Sequence, residues 1–190
     1  MKIAKKTTSP PRQRRFDVAE YYCLHQIGMI AEKNNELING KIYTMSPTGV
    51  RHAWVINLLN RLFTKRLTED YIVSVQNPIR LDDYSEPEPD LAILHTPPTP
   101  YADSHPGADQ VALLIEVADS SLLYDRETKA PLYARFGIPK YWILNLQDNQ
   151  LEVYSQPEKT AYTQQQTLAA TEKVTAFGRE WSVGELLGEV

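Results

Sequence analysis

Val111-Ala-Leu-Leu-Ile-Glu116-Val-Ala118, followed by Asp119-Ser-Ser121 and then by Asp125-Arg-Glu-Thr-Lys129, sets one carboxylate inside an otherwise unbroken apolar run. A run this short, bounded by turn residues, predicts a buried central strand. A polar group left uncompensated there costs roughly 2–7 kcal/mol. Fold-making asks for no Glu at such a position, so a metal ion or a nearby ammonium is the economical partner. A satisfied structural salt bridge is the other reading of the same residue.

The same anomaly stands upstream, where Pro87-Glu88-Pro89-Asp90 leads into Leu91-Ala-Ile-Leu94. Proline is tolerated at the start of a strand because its missing donor is not needed there. Asp90 thus sits at the mouth of a second apolar strand, although an Asp in that place also reads as a turn residue. If the two strands pair, Asp90 and Glu116 converge into an oxygen-rich site suited to the hard cations Mg²⁺ or Mn²⁺.

Composition sets outer bounds. The chain has 190 residues, 42% of them hydrophobic, which is enough for one domain with a real core. A net charge of −4 gives no global pull toward nucleic acid, but a cation in a carboxylate site supplies positive charge locally. The single Cys23 excludes an intramolecular disulfide and a cysteine zinc cluster, and suits a reducing, cytoplasmic setting. Histidines 25, 52, 95 and 105 lack zinc-ligand spacing. The start of the chain carries no apolar leader, and no apolar run approaches the ~20 residues of a membrane span.

Residues 1–15 hold Lys2, Lys5, Lys6, Arg12, Arg14 and Arg15 with a Pro-Pro pair, and read as a flexible basic arm. It is either a solvated tail or a contact to a phosphate backbone. Residues 17–32 predict a helix with Asp17 as cap and Glu20 in the capping-box position. Glu36 to Met45 predicts a hairpin turning at Asn39-Gly40. Val55, Leu58, Leu59, Leu62 and Phe63 mark an amphipathic helix over 50–66, with Arg51, Arg61, Lys65 and Arg66 on its solvated side. His52 opens that helix and reads as a cap or core residue.

Tyr71 to Val75 predicts a strand, continued by Asn77 to Leu81 after Pro78. A proline-rich loop spans 95–110. A helix capped by Thr128 would put Pro131 in its first turn, where no donor is missed, and Gly137-Ile-Pro139 would end it. Asp125 reads as a helix cap, or as the partner of a basic group. Strands follow at Lys140–Leu146 and Leu151–Ser155, then one more strand and a closing helical turn. This order makes an α/β protein of mixed α+β type, a central mixed sheet flanked by helices.

Asp90 after Pro89, with Glu116 in a buried strand, resembles the restriction-endonuclease-like PD-(D/E)XK nuclease superfamily. Glu116-Val-Ala-Asp-Ser-Ser with Tyr124-Asp-Arg, Lys129, Tyr133-Ala, Gly137-Ile-Pro and Tyr141-Trp142-Ile is similar to the Uma family of proteins assigned as bacterial endonucleases. So are Glu36-Leu-Ile-Asn-Gly-Lys and the Ser46-Pro segment with His52. The likeness spans about residues 17 to 155. It implies a restriction-endonuclease-like core with an added N-terminal hairpin, in one nuclease-like domain over residues 16–190.

The resemblance further implies Asp90 and Glu116 as metal ligands, the backbone carbonyl of Val117 as a third, and Mg²⁺ or Mn²⁺ as the cofactor. The superfamily lysine falls two residues after the Glu, which here is Ala118. Its role then passes to Lys129 on the following helix, and Glu36 matches an extra acidic residue drawn from an earlier element. The implied activity is hydrolysis of DNA phosphodiesters, for which a homodimer would suit duplex symmetry. A catalytically inactive nuclease-fold module, binding nucleic acid or a protein partner, is the alternative. Tyr133, Tyr141 and Trp142 read as core.

Overall fold

Strand β5 (Val111–Ala118) is buried at all eight positions because it runs through the middle of a sheet covered on both faces. The computed structural model describes residues 13–30, 34–47, 49–96 and 104–189. Residues 1–12 of the basic arm and residues 97–103 of the proline-rich loop lie outside these. Helix α1 (Val18–Gln26) begins with the expected Asp17–Glu20 capping box. The hairpin of β1 (Asn35–Ile38) and β2 (Lys41–Thr44) turns at Asn39 and Gly40, with φ of 53° and 75°. Any Cβ at Gly40 would lie 2.5 Å from the Cβ of Arg15, so the turn also needs glycine for space. Arg15 closes over this hairpin, donating to the Asn39 carbonyl at 3.0 Å and stacking on Tyr84.

The central sheet is built from β3 (Tyr71–Val75), β4 (Leu91–His95), β5, β6 (Lys140–Asn145), β7 (Gln150–Glu158) and β8 (Ala161–Ala169), in that spatial order. Only β5 and β6 run parallel, so the sheet is mixed, as the sequence predicts. Alternation along β5 sorts its side chains between two cores. Leu113, Ile115 and Val117 face α2 (Val50–Arg66) and α5 (Val183–Leu187). Leu114 and Ala118 face the helical segment after β5. Glu116 belongs to that second face.

Three expectations fail. Asn77–Leu81 does not extend the sheet, because Gln76 turns the chain at φ 48° and only Arg80 makes an isolated bridge, to Gly107. Thr128 caps no helix. The segment already turns helically at α3 (Leu122–Tyr124), widens to a π turn over Asp125–Lys129 and continues as α4 (Ala130–Arg135). Pro131 has no N–H to offer the Glu127 carbonyl, and the Ala130 N–H reaches back five residues to Asp125.

The third concerns the C-terminal part, which holds a further hairpin, β9 (Lys173–Ala176) and β10 (Arg179–Ser182), turning at Phe177-Gly178. These four-residue strands are too short to show a period. Two residues of the supposedly solvated side of α2 are also tethered. Arg51 donates to the Leu146 carbonyl at 2.6 Å, and Arg66 pairs with Glu185 on α5. Among the described residues no helix is long and apolar enough to cross a membrane.

The α2 face is locked by aromatics: Phe63 stacks on Trp181 with ring centroids 4.4 Å apart and meets Trp142 at 6.3 Å. Phe63 is fully buried, so Phe63→Ala is expected to cost about 3–5 kcal/mol of unfolding free energy by urea titration. A loss below ~1 kcal/mol would show that this face is not a packed core.

Candidate active site

The antiparallel register of β4 and β5 pairs Leu91 with Ile115, which leaves Asp90 beside Glu116 at the end of β4. The Val117 N–H, one residue on, donates to Asp90 Oδ2 at 2.8 Å, and the Asp90 N–H lies 3.4 Å from Glu116 Oε2. Strand pairing therefore brings together the two carboxylates that the sequence singled out.

The partner of Glu116 is an ammonium. Lys129 Nζ lies 2.9 Å from Glu116 Oε1 and 3.4 Å from Glu36 Oε2, with all three side chains at most 5% exposed. The π turn sets this geometry, since one extra residue per turn rotates Lys129 toward the sheet. Ala118, where the superfamily lysine would stand, lies on the same face as Glu116, and its small side chain leaves room for one arriving from the helix. Glu36 comes from the added hairpin. It accepts from the Tyr124 hydroxyl at 3.0 Å and from the Glu88 N–H at 3.2 Å. Tyr133, a core residue as expected, also donates its hydroxyl to Glu116 Oε1 at 3.1 Å.

Glu36, Asp90, Glu116, Tyr124 and Lys129 line an open cavity of about 400 Å³ that also takes in His52, Gln76 and Asp125. Sequence reasoning missed the role of two of them. His52 Nε2 lies 2.9 Å from Asp90 Oδ2. The available signal was position: His52 falls three and four residues before Val55 and Ile56, on the buried stripe of α2. Asp125 is no cap; it is 1% exposed and accepts from the Ser121 hydroxyl at 2.6 Å.

Electrostatics follow from burial. Desolvation pushes Glu116 well up, opposed by Lys129 and reinforced by Asp125, Asp90 and Glu36. Burial alone would lower Lys129, but the facing charges of Glu116 and Glu36 outweigh it and hold the ammonium well above the usual lysine range. Burial likewise works against a charged His52, yet the hydrogen bond and charge of Asp90 raise it overall. Among the described residues no three His, Cys, Asp or Glu side chains form a ready-made metal cage.

The chain belongs to the Uma2 family, described as "Putative restriction endonuclease" and matched over residues 18–184. It shares its fold with a crystal structure described as "a putative nuclease belonging to DUF820 from Anabaena variabilis ATCC 29413". The TM-score is 0.64 and the identity 14%, over 87% of this chain and 97% of that one. No curated protein matches the chain. The Uma family expected from the resemblance is thus the family found, and the mixed sheet flanked by helices is the fold shared with that crystal structure.

Burial raises the Asp125 carboxyl from 3.8 to about 6. The folded state therefore resists its ionisation: no penalty exists below the unfolded value, and the penalty develops between pH 3.8 and 6 and persists above. Asp125→Asn escapes it. Between pH 3.5 and 7 its stability relative to wild type is expected to rise by up to roughly 3 kcal/mol in urea unfolding. A difference that does not change with pH would show that Asp125 ionises freely.

Proposed function

We propose that this chain is a divalent-metal-dependent nuclease hydrolysing phosphodiester bonds of DNA. Asp90 and Glu116 would hold the cation, and Lys129 would face the scissile phosphate. The observation that carries this reading is the desolvated Lys129 ammonium set between Glu116 and Glu36 at an open cavity beside Asp90.

The donor set fits Mg²⁺ or Mn²⁺, which prefer oxygen ligands. Asp90 Oδ2 and Glu116 Oε1 are each taken by two protein donors, whereas among the described residues Asp90 Oδ1 and Glu116 Oε2 have only 3.4 Å contacts. Those two looser oxygens are the ones available to a cation. A strand residue's N–H and C=O face the same neighbour, so the Val117 carbonyl also lies on the Asp90 side and suits a third ligand. When bound, such a cation would lower the pKa of a coordinated water and offset phosphate charge.

The chain's own residues supply the rest. Lys129 brings a fixed positive charge to the phosphate as negative charge builds there, and it needs no reorganisation because its partners already hold it. Glu36 pulls the ammonium away from exclusive pairing with Glu116. Tyr133 shares Glu116 Oε1 with Lys129, which keeps the carboxylate in one orientation. A homodimer would match the two strands of a duplex.

The inactive-module reading draws support from the lack of a three-side-chain cage among the described residues. Calorimetric titration with Mn²⁺ separates the two, with plasmid and single-stranded DNA cleavage assayed on the same samples. Wild type is expected to bind and cut, and Asp90→Ala and Glu116→Ala to lose both by at least ~100-fold. Wild type without metal binding would leave the inactive module standing.

A further inference from the structure

A polar side chain in the first turn of α2, that of His52, ends on a site carboxylate. His52 sits in the first turn of α2, whose Val55, Ile56, Leu59 and Phe63 are packed into the core, so the helix has little freedom to shift. A carboxylate oxygen only accepts, so the 2.9 Å contact from His52 Nε2 to Asp90 Oδ2 requires the proton on Nε2 in either charge state of the ring. The Val117 N–H reaches the same Oδ2 at 2.8 Å. Two donors from two rigid elements, α2 and β5, thus fix one oxygen of Asp90. Among the described residues the other, Oδ1, has only Gln76 Nε2, at 3.4 Å.

We infer that His52 is a positioning residue for metal binding: its Nε2–H clamps Asp90 Oδ2 so that Oδ1 is presented to the cavity for the cation. The inference rests on the metal-dependent reading above and deepens it. The histidine acts through Asp90. It is the outer partner that orients a ligating group, an arrangement whose loss elsewhere weakens metal affinity about 10–100-fold.

The clamp makes a prediction that a packing role does not. His52→Gln keeps an N–H donor close to the place of Nε2, whereas His52→Ala removes it. Mn²⁺ affinity is measured by calorimetry on both variants and wild type, alongside thermal unfolding of each without metal. His52→Ala is expected to bind Mn²⁺ about 10–100-fold more weakly, and His52→Gln within about threefold of wild type, a ratio worth under 1 kcal/mol. Wild-type affinity in His52→Ala would overturn the clamp while leaving the nuclease reading intact. Equal weakening in both variants would also overturn it, because the ring itself would then be needed. A wild type that binds no Mn²⁺ would overturn the nuclease reading and the clamp together.

Discussion

A buried ammonium between two buried carboxylates is the interaction on which the site depends. Lys129, Glu116 and Glu36 are each nearly inaccessible to water, and none could stay charged there alone. Removing one member leaves an uncompensated charge, which typically costs 3–5 kcal/mol. Replacing such a group by well-packed apolar residues is often neutral or stabilising. Stability alone does not account for a triad of this kind next to an open cavity, whereas the proposed nuclease role would.

The triad is assembled from parts that are far apart in sequence. Glu36 is carried by the β1–β2 hairpin, Glu116 by the central strand β5, and Lys129 by the π turn ahead of α4. Tyr124 and Tyr133 flank that turn, and their hydroxyls tie Glu36 and Glu116 to the helical segment. Helix α2 contributes on the opposite side of β5, where its packed stripe ends at His52 and Asp90. Both faces of the sheet therefore bear on one pair of strand ends.

Glu116 and Asp90 were legible because each breaks a pattern: a charge within an apolar run, and an acid between a proline and a strand. The bounds of α2 and the Asn39-Gly40 turn were legible because period and turn chemistry are local signals. Lys129 came only from family resemblance. Its reach depends on the π turn, and a missing donor at Pro131 does not reveal from sequence which way the helix adjusts. Thr128 was misread as a cap for the same reason. His52 was passed over because a lone histidine carries no pattern, and its meaning appears only when the stripe of α2 meets the end of β4. The β9–β10 hairpin escaped because four-residue strands are too short to display alternation.

The most direct measurement is the titration of Lys129 itself, followed through the ¹⁵N resonance of its Nζ in uniformly labelled protein. If the ammonium is held by Glu116 and Glu36, it should keep its proton at pH values above the ordinary lysine value of 10.5, for as long as the protein stays folded. Loss of the proton below that value would mean that burial has won over pairing. The positive charge assigned to the site would then be lost at a lower pH than that of a free lysine.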